Sequence, residues 1–269
     1  MEKIILITGI SSGFGKETAR ILAEAGYKVY GTVRSEASAG PAVNTLNMDL
    51  TDLPSITRTV KAVIEKEGRI DILINNAGMH TGGAVEMSSA ATISLQMETN
   101  FNGMVHLTKE VIPHMRKQGG GRIINFSSIG GLMGLPFQAF YCASKFAVEG
   151  FSEALRMEVS KFNIKVIVIN PGDFSTSNSA NRRKYLASSA KGDPYREQFQ
   201  MTLAVIEKDE SCGWKPEVLA QKLLKIIGSE NPRQRYIIGS LEQRLAVLLK
   251  YVLPGRLFRK ILEAHYDIH

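Results

Sequence analysis

Ile4-Ile5-Leu6-Ile7-Thr8-Gly9-Ile10-Ser11-Ser12-Gly13-Phe14-Gly15 stands almost at the start of the chain, an unbroken apolar run that gives way to a glycine-rich turn. Aliphatic residues without alternation suit a parallel strand covered on both faces. The glycines let the backbone turn tightly and come close to an anionic group, and a helix starting just after them presents its N-terminal amides to that group. Strand, glycine loop and helix in this order form a dinucleotide pyrophosphate site, with Gly9, Ser11, Ser12, Gly13, Phe14 and Gly15 as its candidate residues. The spacing is T-G-x-x-x-G-x-G rather than the G-x-G-x-x-G of other dinucleotide folds.

The same rhythm continues outward from this unit. Apolar or β-branched runs at 3–8, 28–32, 46–48, 71–75, 122–127, 165–170 and 235–238 predict strands, and amphipathic stretches near 14–25, 53–67, 90–117, 139–162 and 215–227 predict helices. Strand and helix in alternation predict the α/β class: a three-layer, Rossmann-type, doubly wound parallel sheet of about seven strands. No repeat and no Pro/Ser-rich linker divides residues 1–269, so a single domain is expected. Residues 174–213 hold no clear strand and are rich in Ser, Asn, Lys and Arg; an insertion of this length suits a lid over a substrate. The end of the chain, about 241–269, reads as a helical extension. Leu241, Leu245, Leu248, Leu249 and Val252 make one apolar face, and Leu257, Phe258, Ile261 and Leu262 make another.

Bulk composition narrows the function classes. The chain has 269 residues with a formal charge of +7, and no zinc-finger or RNA-recognition spacing accompanies that basic excess, which argues against a nucleic-acid partner. Cys142 and Cys212 have neither the number for a disulfide framework nor the spacing of metal ligands, so no metal site and a reducing, cytoplasmic setting are expected. The first apolar run is too short for a signal peptide or a membrane span. Arg244, Lys250, Arg256, Arg259 and Lys260 are interleaved with the apolar faces of the tail. That pattern admits peripheral contact with a membrane, but packing on the domain or on another subunit is the ordinary role of such a stripe and is favoured.

Two further stretches carry chemistry. After the second strand an NAD-selective site would hold a carboxylate for the ribose hydroxyls, but Val33 stands there, no carboxylate follows until Glu36, and Arg34 offers a guanidinium suited to a 2′-phosphate. NADP(H) is therefore expected over NAD(H). Tyr141 and Lys145 form Y-x-x-x-K on one helix face. A free phenol is a poor base at neutral pH; a neighbouring ammonium lowers its pKa, so that it can exchange a proton with a ketone or alcohol oxygen. Upstream, Arg122–Ser128 reads as a strand ending in two serines, either of which could polarise that oxygen.

Together these motifs resemble the short-chain dehydrogenase/reductase superfamily, and Gly130–Phe137 followed by Tyr141–Phe146 is most similar to its 17β-hydroxysteroid and retinol dehydrogenase branch. The resemblance extends from Thr8 to Thr176. It implies Tyr141 as catalytic acid/base, Lys145 as its partner and a ribose contact, Ser128 rather than Ser127 on the substrate oxygen, and Asn100 in a proton relay, with Asn102 the alternative. It also implies cofactor contacts from Asp49 and Leu50, from Asn76, Ala77 and Gly78 of the N-N-A-G motif, and from Pro171, Gly172, Phe174 and Thr176. The implied reaction interconverts a secondary alcohol and a ketone on a small-molecule substrate, in a homodimer or homotetramer.

Leu135, Pro136 and Phe137, with Ser128 and Tyr141, are expected to line the substrate pocket, which their character makes suitable for a bulky apolar molecule such as a steroid, retinoid or long-chain lipid. A small polar ketone, or a silent NADP(H)-binding sensor, are the rival readings. His80, a lone loop histidine after the N-N-A-G motif, reads as solvent-exposed, and Cys142 and Trp214 read as packing.

Overall fold

The computed structural model describes residues 2–34, 42–176 and 193–268. In chain order the elements are β1 (Ile4–Thr8), α1 (Gly13–Glu24), β2 (Lys28–Val33), β3 (Asn44–Asn47), α2 (Leu53–Glu67), β4 (Ile72–Asn75), α3 (Ala90–Met97), α4 (Gly103–Lys117), β5 (Gly121–Phe126), α5 (Ala139–Val159), β6 (Ile164–Pro171), α6 (Arg196–Cys212), α7 (Pro216–Gly228), β7 (Arg235–Ile238), α8 (Leu241–Val252) and α9 (Gly255–His265).

The strands form one seven-stranded sheet in the order β3-β2-β1-β4-β5-β6-β7, parallel throughout. β1 illustrates why its sequence shows no alternation. Ile5 and Ile7 enter a core with Ala19 and Leu22 of α1 and Leu219 and Leu223 of α7. Leu6 enters the opposite core with Val60 of α2, Leu107 and Val111 of α4 and Leu155 of α5. The chain runs outward from β1 to β3 and then returns to β4 on the other side of β1. The loops leaving β1 and β4 therefore diverge and open a crevice at the carboxyl ends of these strands.

Two regions depart from the sequence reading. The helix expected over 90–117 is two helices joined by a π-helical turn, Glu98–Asn102, in which Asn100 is buried. Such turns widen a helix by one residue, a change that the spacing of apolar residues does not register, and they concentrate at functional sites. Within 174–213, residues 196–212 form α6, anchored by the buried Phe199, Thr202 and Ile206. That seam is too sparse among charged neighbours to stand out as a helix. Residues 177–192 of the expected lid lie outside the described residues.

The tail forms the two helices its periodicity predicts; Phe258, Leu262 and Leu249 of the named faces pack on the core, but most of the α8 face does not. Val247 and Phe258 are the residues buried against Ile129, Leu132 and Met133. Leu241, Leu248 and Val252 stay 78%, 57% and 69% exposed.

Candidate active site

Thr8 ends β1, and its hydroxyl accepts the backbone amides of Asn76 and Ala77 at 3.0 and 2.9 Å. The Asn76 amide group returns to the carbonyls of Thr8 and Gly9 at 2.8 and 3.1 Å. The N-N-A-G motif thus fastens the loop after β4 to the glycine loop after β1, across the crevice. The closeness requires glycine. Gly9 adopts φ +72°, and a Cβ on Gly15 would lie 2.1 Å from the Gly9 carbonyl oxygen. Ser12 caps α1 without a side-chain hydrogen bond, and the first turn of α1 carries no acidic residue. The amides and positive end of that helix are left to face an anion, which fits a pyrophosphate.

The adjoining residues fit the rest of a dinucleotide. Val33 is buried and Arg34 exposed at the end of β2, both beside the cleft. Asp49 and Leu50 also line it; one Asp49 oxygen accepts from the Thr51 amide and hydroxyl, each at 2.8 Å, while Asp52 caps α2. The cleft further collects Gly78, Tyr141 and Lys145, and Pro171, Gly172, Phe174 and Thr176 from the segment after β6. Phe174 packs edge-on against Phe14 of the glycine loop at 4.9 Å between ring centres. A Cβ on Gly13 would touch Thr176 at 3.8 Å, so the two loops meet.

Tyr141 and Lys145 lie in the first turns of α5. The Lys145 ammonium donates to the Phe126 carbonyl at 2.9 Å and lies 5.8 Å from the centre of the Tyr141 ring. Burial pushes its pKa down to about 8, and the Glu149 carboxylate acts in the opposite direction. The two serines after β5 are differently engaged. The Ser127 hydroxyl donates to the Lys145 carbonyl at 3.3 Å. The Ser128 oxygen accepts the Gly130 amide at 3.1 Å, which leaves its proton for an oxygen in the cleft.

Asn100 does not line the cleft; it stands behind it. Its carbonyl accepts the Met79 amide at 2.7 Å, and its NH2 donates to the Met79 carbonyl at 2.9 Å and the Ser144 hydroxyl at 3.1 Å. Asn102 instead bonds Glu98 at the surface. A Cβ on Gly78 would sit 3.3 Å from the Asn100 carbonyl and 3.6 Å from the Lys145 nitrogen, so Gly78 lies between them.

At the substrate end Leu135 lines the cleft, but Pro136 and Phe137 are not among its lining residues. Phe137 takes a left-handed backbone, φ 56°, and packs on Phe199 of α6 at 5.3 Å. That turn carries it away from the position its apolar character suggested. Residues remote in sequence supply the wall: Ile206, Asp209 and Glu210 of α6, and Tyr266 beyond α9. His265 pairs with Asp209 at 3.0 Å, and the Tyr266 carbonyl accepts the Thr202 hydroxyl at 3.3 Å. Gln243 of α8 reaches the loop after β6, bonding Ser240 and both the backbone and the carboxylate of Asp173. Burial raises the Asp173 carboxyl to about 6, with Asp209 and Glu210 adding to the effect.

Several site residues carry no motif. Asn170 of β6 donates to the Ser128 carbonyl at 2.9 Å and to Glu149 at 2.6 Å, holding the serine loop to the sheet. Gln96, wholly buried, bonds the 79–81 loop. His80 is buried rather than exposed and lies against Tyr141. Cys142 is buried as expected of a packing residue, with its thiol pushed up to about 11 by burial. Trp214 packs edge-on against Phe174, with Lys222 over its ring.

Comparison with known proteins agrees with this geometry. Residues 3–187 match the family described as short chain dehydrogenase. The chain is 46% identical to a 3-ketodihydrosphingosine reductase of Bacteroides thetaiotaomicron, over 99% of this chain and 98% of that protein. A short-chain dehydrogenase from Streptomyces avermitilis superposes with a TM-score of 0.82 at 27% identity, over 98% of this chain and 96% of that one. Actinorhodin polyketide ketoreductase, solved with NADPH, superposes with a TM-score of 0.73 at 30% identity, over 88% and 95%. The chain belongs to the short-chain dehydrogenase family and is a nicotinamide-dependent oxidoreductase of the alcohol–ketone pair.

Proposed function

We propose that the protein uses NADPH to reduce the ketone of 3-ketodihydrosphingosine or a similar long-chain amino ketone. The observation that carries this reading is the 46% identity, spanning nearly the whole of both chains, to a reductase of that name. Apolar Leu135 and Ile206 beside carboxylates Asp209 and Glu210 suit a substrate that joins a hydrocarbon chain to an ammonium group. A bound nicotinamide supplies the hydride. Tyr141 gives the proton to the carbonyl oxygen, Ser128 donates a hydrogen bond to that oxygen, and Lys145 lowers the phenol's pKa and holds the ribose. Asn100 orders the loop and helix behind them. Arg34 takes the 2′-phosphate, in place of the acid that Val33 replaces.

Loss of NADPH absorbance with 3-ketodihydrosphingosine tests the substrate directly, against the same chain length without the amine and against a short polar ketone. Preference for the amino ketone is expected. Turnover confined to the short ketone overturns the lipid reading, and binding of NADPH with no turnover of any ketone supports the sensor instead.

The same reading gives the tail a role on a lipid surface. Leu241, Leu245, Leu248 and Val252 form an exposed stripe on α8, with Leu257 and Ile261 exposed on α9 and Arg244, Lys250, Arg256, Arg259 and Lys260 around them. Among the described residues no helix is long and apolar enough to cross a membrane. An apolar stripe fringed with cations suits an anionic bilayer. The intact protein should sediment with anionic vesicles at low salt, and serine at the four α8 positions should release it. A change from dimer to monomer in that variant, with no vesicle binding by the parent, would assign the stripe to a subunit interface.

A further inference from the structure

We infer that His80 is a positioning residue for Tyr141: its imidazole forms a fixed wall that sets the plane of the phenol. This rests on the assignment of Tyr141 as the proton donor. The two rings are stacked, with centres 4.0 Å apart and planes 20° apart, and both border the cleft. His80 is only 5% exposed, so the contact is part of the interior.

The structure on both sides of the stack is built to hold it. The residue before His80 is gripped at both backbone atoms. The Met79 amide donates to Asn100 at 2.7 Å, and the Met79 carbonyl accepts from Asn100 at 2.9 Å and from Gln96 at 2.7 Å. The residue after it is gripped by the same glutamine, whose carbonyl accepts the Thr81 amide and hydroxyl at 2.9 and 2.8 Å. Three residues on, the Gly83 amide donates to the Phe137 carbonyl at 2.8 Å, tying the loop to the segment that leads into α5.

Asn100 connects this clamp to the tyrosine itself. Its NH2 donates to the Ser144 hydroxyl, which donates in turn to the Tyr141 carbonyl at 2.7 Å. One buried asparagine therefore orders the loop bearing the imidazole and the helical turn bearing the phenol. A loop histidine meant only for solvent needs no such support. A phenol that must meet a carbonyl oxygen in line loses rate steeply with small misplacement, by up to about 100-fold per ångström. A flat, fixed neighbour prevents rotation of the ring about its χ angles.

The test compares His80→Ala, His80→Phe and Tyr141→Phe in the full chain. With an amino ketone that the parent reduces, His80→Ala should lower kcat about 10- to 100-fold, while KM for NADPH changes less than about twofold. His80→Phe, which keeps a flat ring, should restore most of the rate. Turnover in His80→Ala within about twofold of the parent, with Tyr141→Phe inactive, overturns the positioning role alone. Turnover that survives Tyr141→Phe overturns the assignment of Tyr141. A second measurement needs no substrate. In protein labelled with 13C at the tyrosine ring, the Tyr141 signal is the one absent from Tyr141→Phe. It should lose its ring-current shift in His80→Ala and keep it in His80→Phe. An unchanged Tyr141 signal in His80→Ala overturns the stack whatever substrate the enzyme prefers.

Discussion

The two ends of the cleft are held together in different ways. At the cofactor end, consecutive residues of short motifs bond one another. Thr8 meets Asn76 and Ala77, and Gly9 and Gly15 pack backbone on backbone. At the substrate end, single side chains from distant segments are joined: Gln243 to Asp173, His265 to Asp209, Thr202 to Tyr266. The first arrangement leaves little freedom at Gly9 and Gly15, where backbone meets backbone and there are no rotamers to change. The second joins side chains whose replacement alters the wall without moving the sheet. A family that keeps a nicotinamide dinucleotide site and changes its substrates needs this division.

The largest effect that sharpens this comparison lies where the two ends meet. Tyr141→Phe should reduce turnover by about 10²- to 10⁴-fold while NADPH still quenches or shifts protein fluorescence, since the lost proton transfer matters chiefly in the transition state. Equal loss of NADPH binding would mean that the two ends are not separable.

Next comes the rigid end. Gly15→Ala would press a methyl into the Gly9 carbonyl, which backbone cannot avoid. Titration should find NADPH affinity reduced by at least about tenfold, on the order expected when backbone must shift in a packed site. Near-parent affinity would break the claim of rigidity.

A smaller change follows from the ribose position. Val33→Asp with Arg34→Ser should move the ratio of NADPH to NADH efficiency toward NADH by about 10- to 100-fold, the scale of losing one charge-assisted bond and adding a like charge. A parent enzyme already indifferent between the two would remove the role of Arg34.

The smallest effect belongs to the adaptable end. The Asp173 carboxyl rises to about 6 in the folded protein from an ordinary 3.8. Between about pH 4 and 6 the native state therefore holds a proton that the unfolded chain releases, and this group's contribution to stability falls as pH rises through that window. Asp173→Asn removes the charge while its carbonyl still accepts from Gln243. At pH 8 it should stabilise by about 1–3 kcal/mol, seen as a higher Tm, and the gain should vanish below about pH 4. A gain that persists in acid would need another cause.

Deletion of the tail, by contrast, is a poor probe of that end. Gln243, Val247, Phe258 and Tyr266 are tied into the cleft and the core, so removing 241–269 would disturb both. Substitution of the exposed stripe leaves those contacts in place.

Legibility followed the same division. The glycine loop, the N-N-A-G turn and the Y-x-x-x-K pair stand out in the sequence because each motif lies within one turn or one strand end, and the fold brings all three to one cleft. His80 does not: its neighbours Met79 and Thr81 are held by Gln96 and Asn100, and nothing in the local spacing announces them. Phe137 reads as a pocket wall because it is apolar and near the active centre, whereas its left-handed backbone turns it onto Phe199.

By itself the sequence determined the layered α/β class, the seven strands in their order along the chain, and most of the residues that gather at the cleft. Hydrophobic pattern and backbone sterics act over a few residues, so they can be read from a few residues. Only the tertiary structure decided that the helix before α4 widens at Asn100, that α6 and the tail jointly wall the substrate end, and that α8 packs through Val247 while its leucine stripe stays exposed. Those outcomes depend on which of several locally acceptable faces finds a complementary surface from a distant part of the chain, and that competition is resolved only when the whole domain closes around its core.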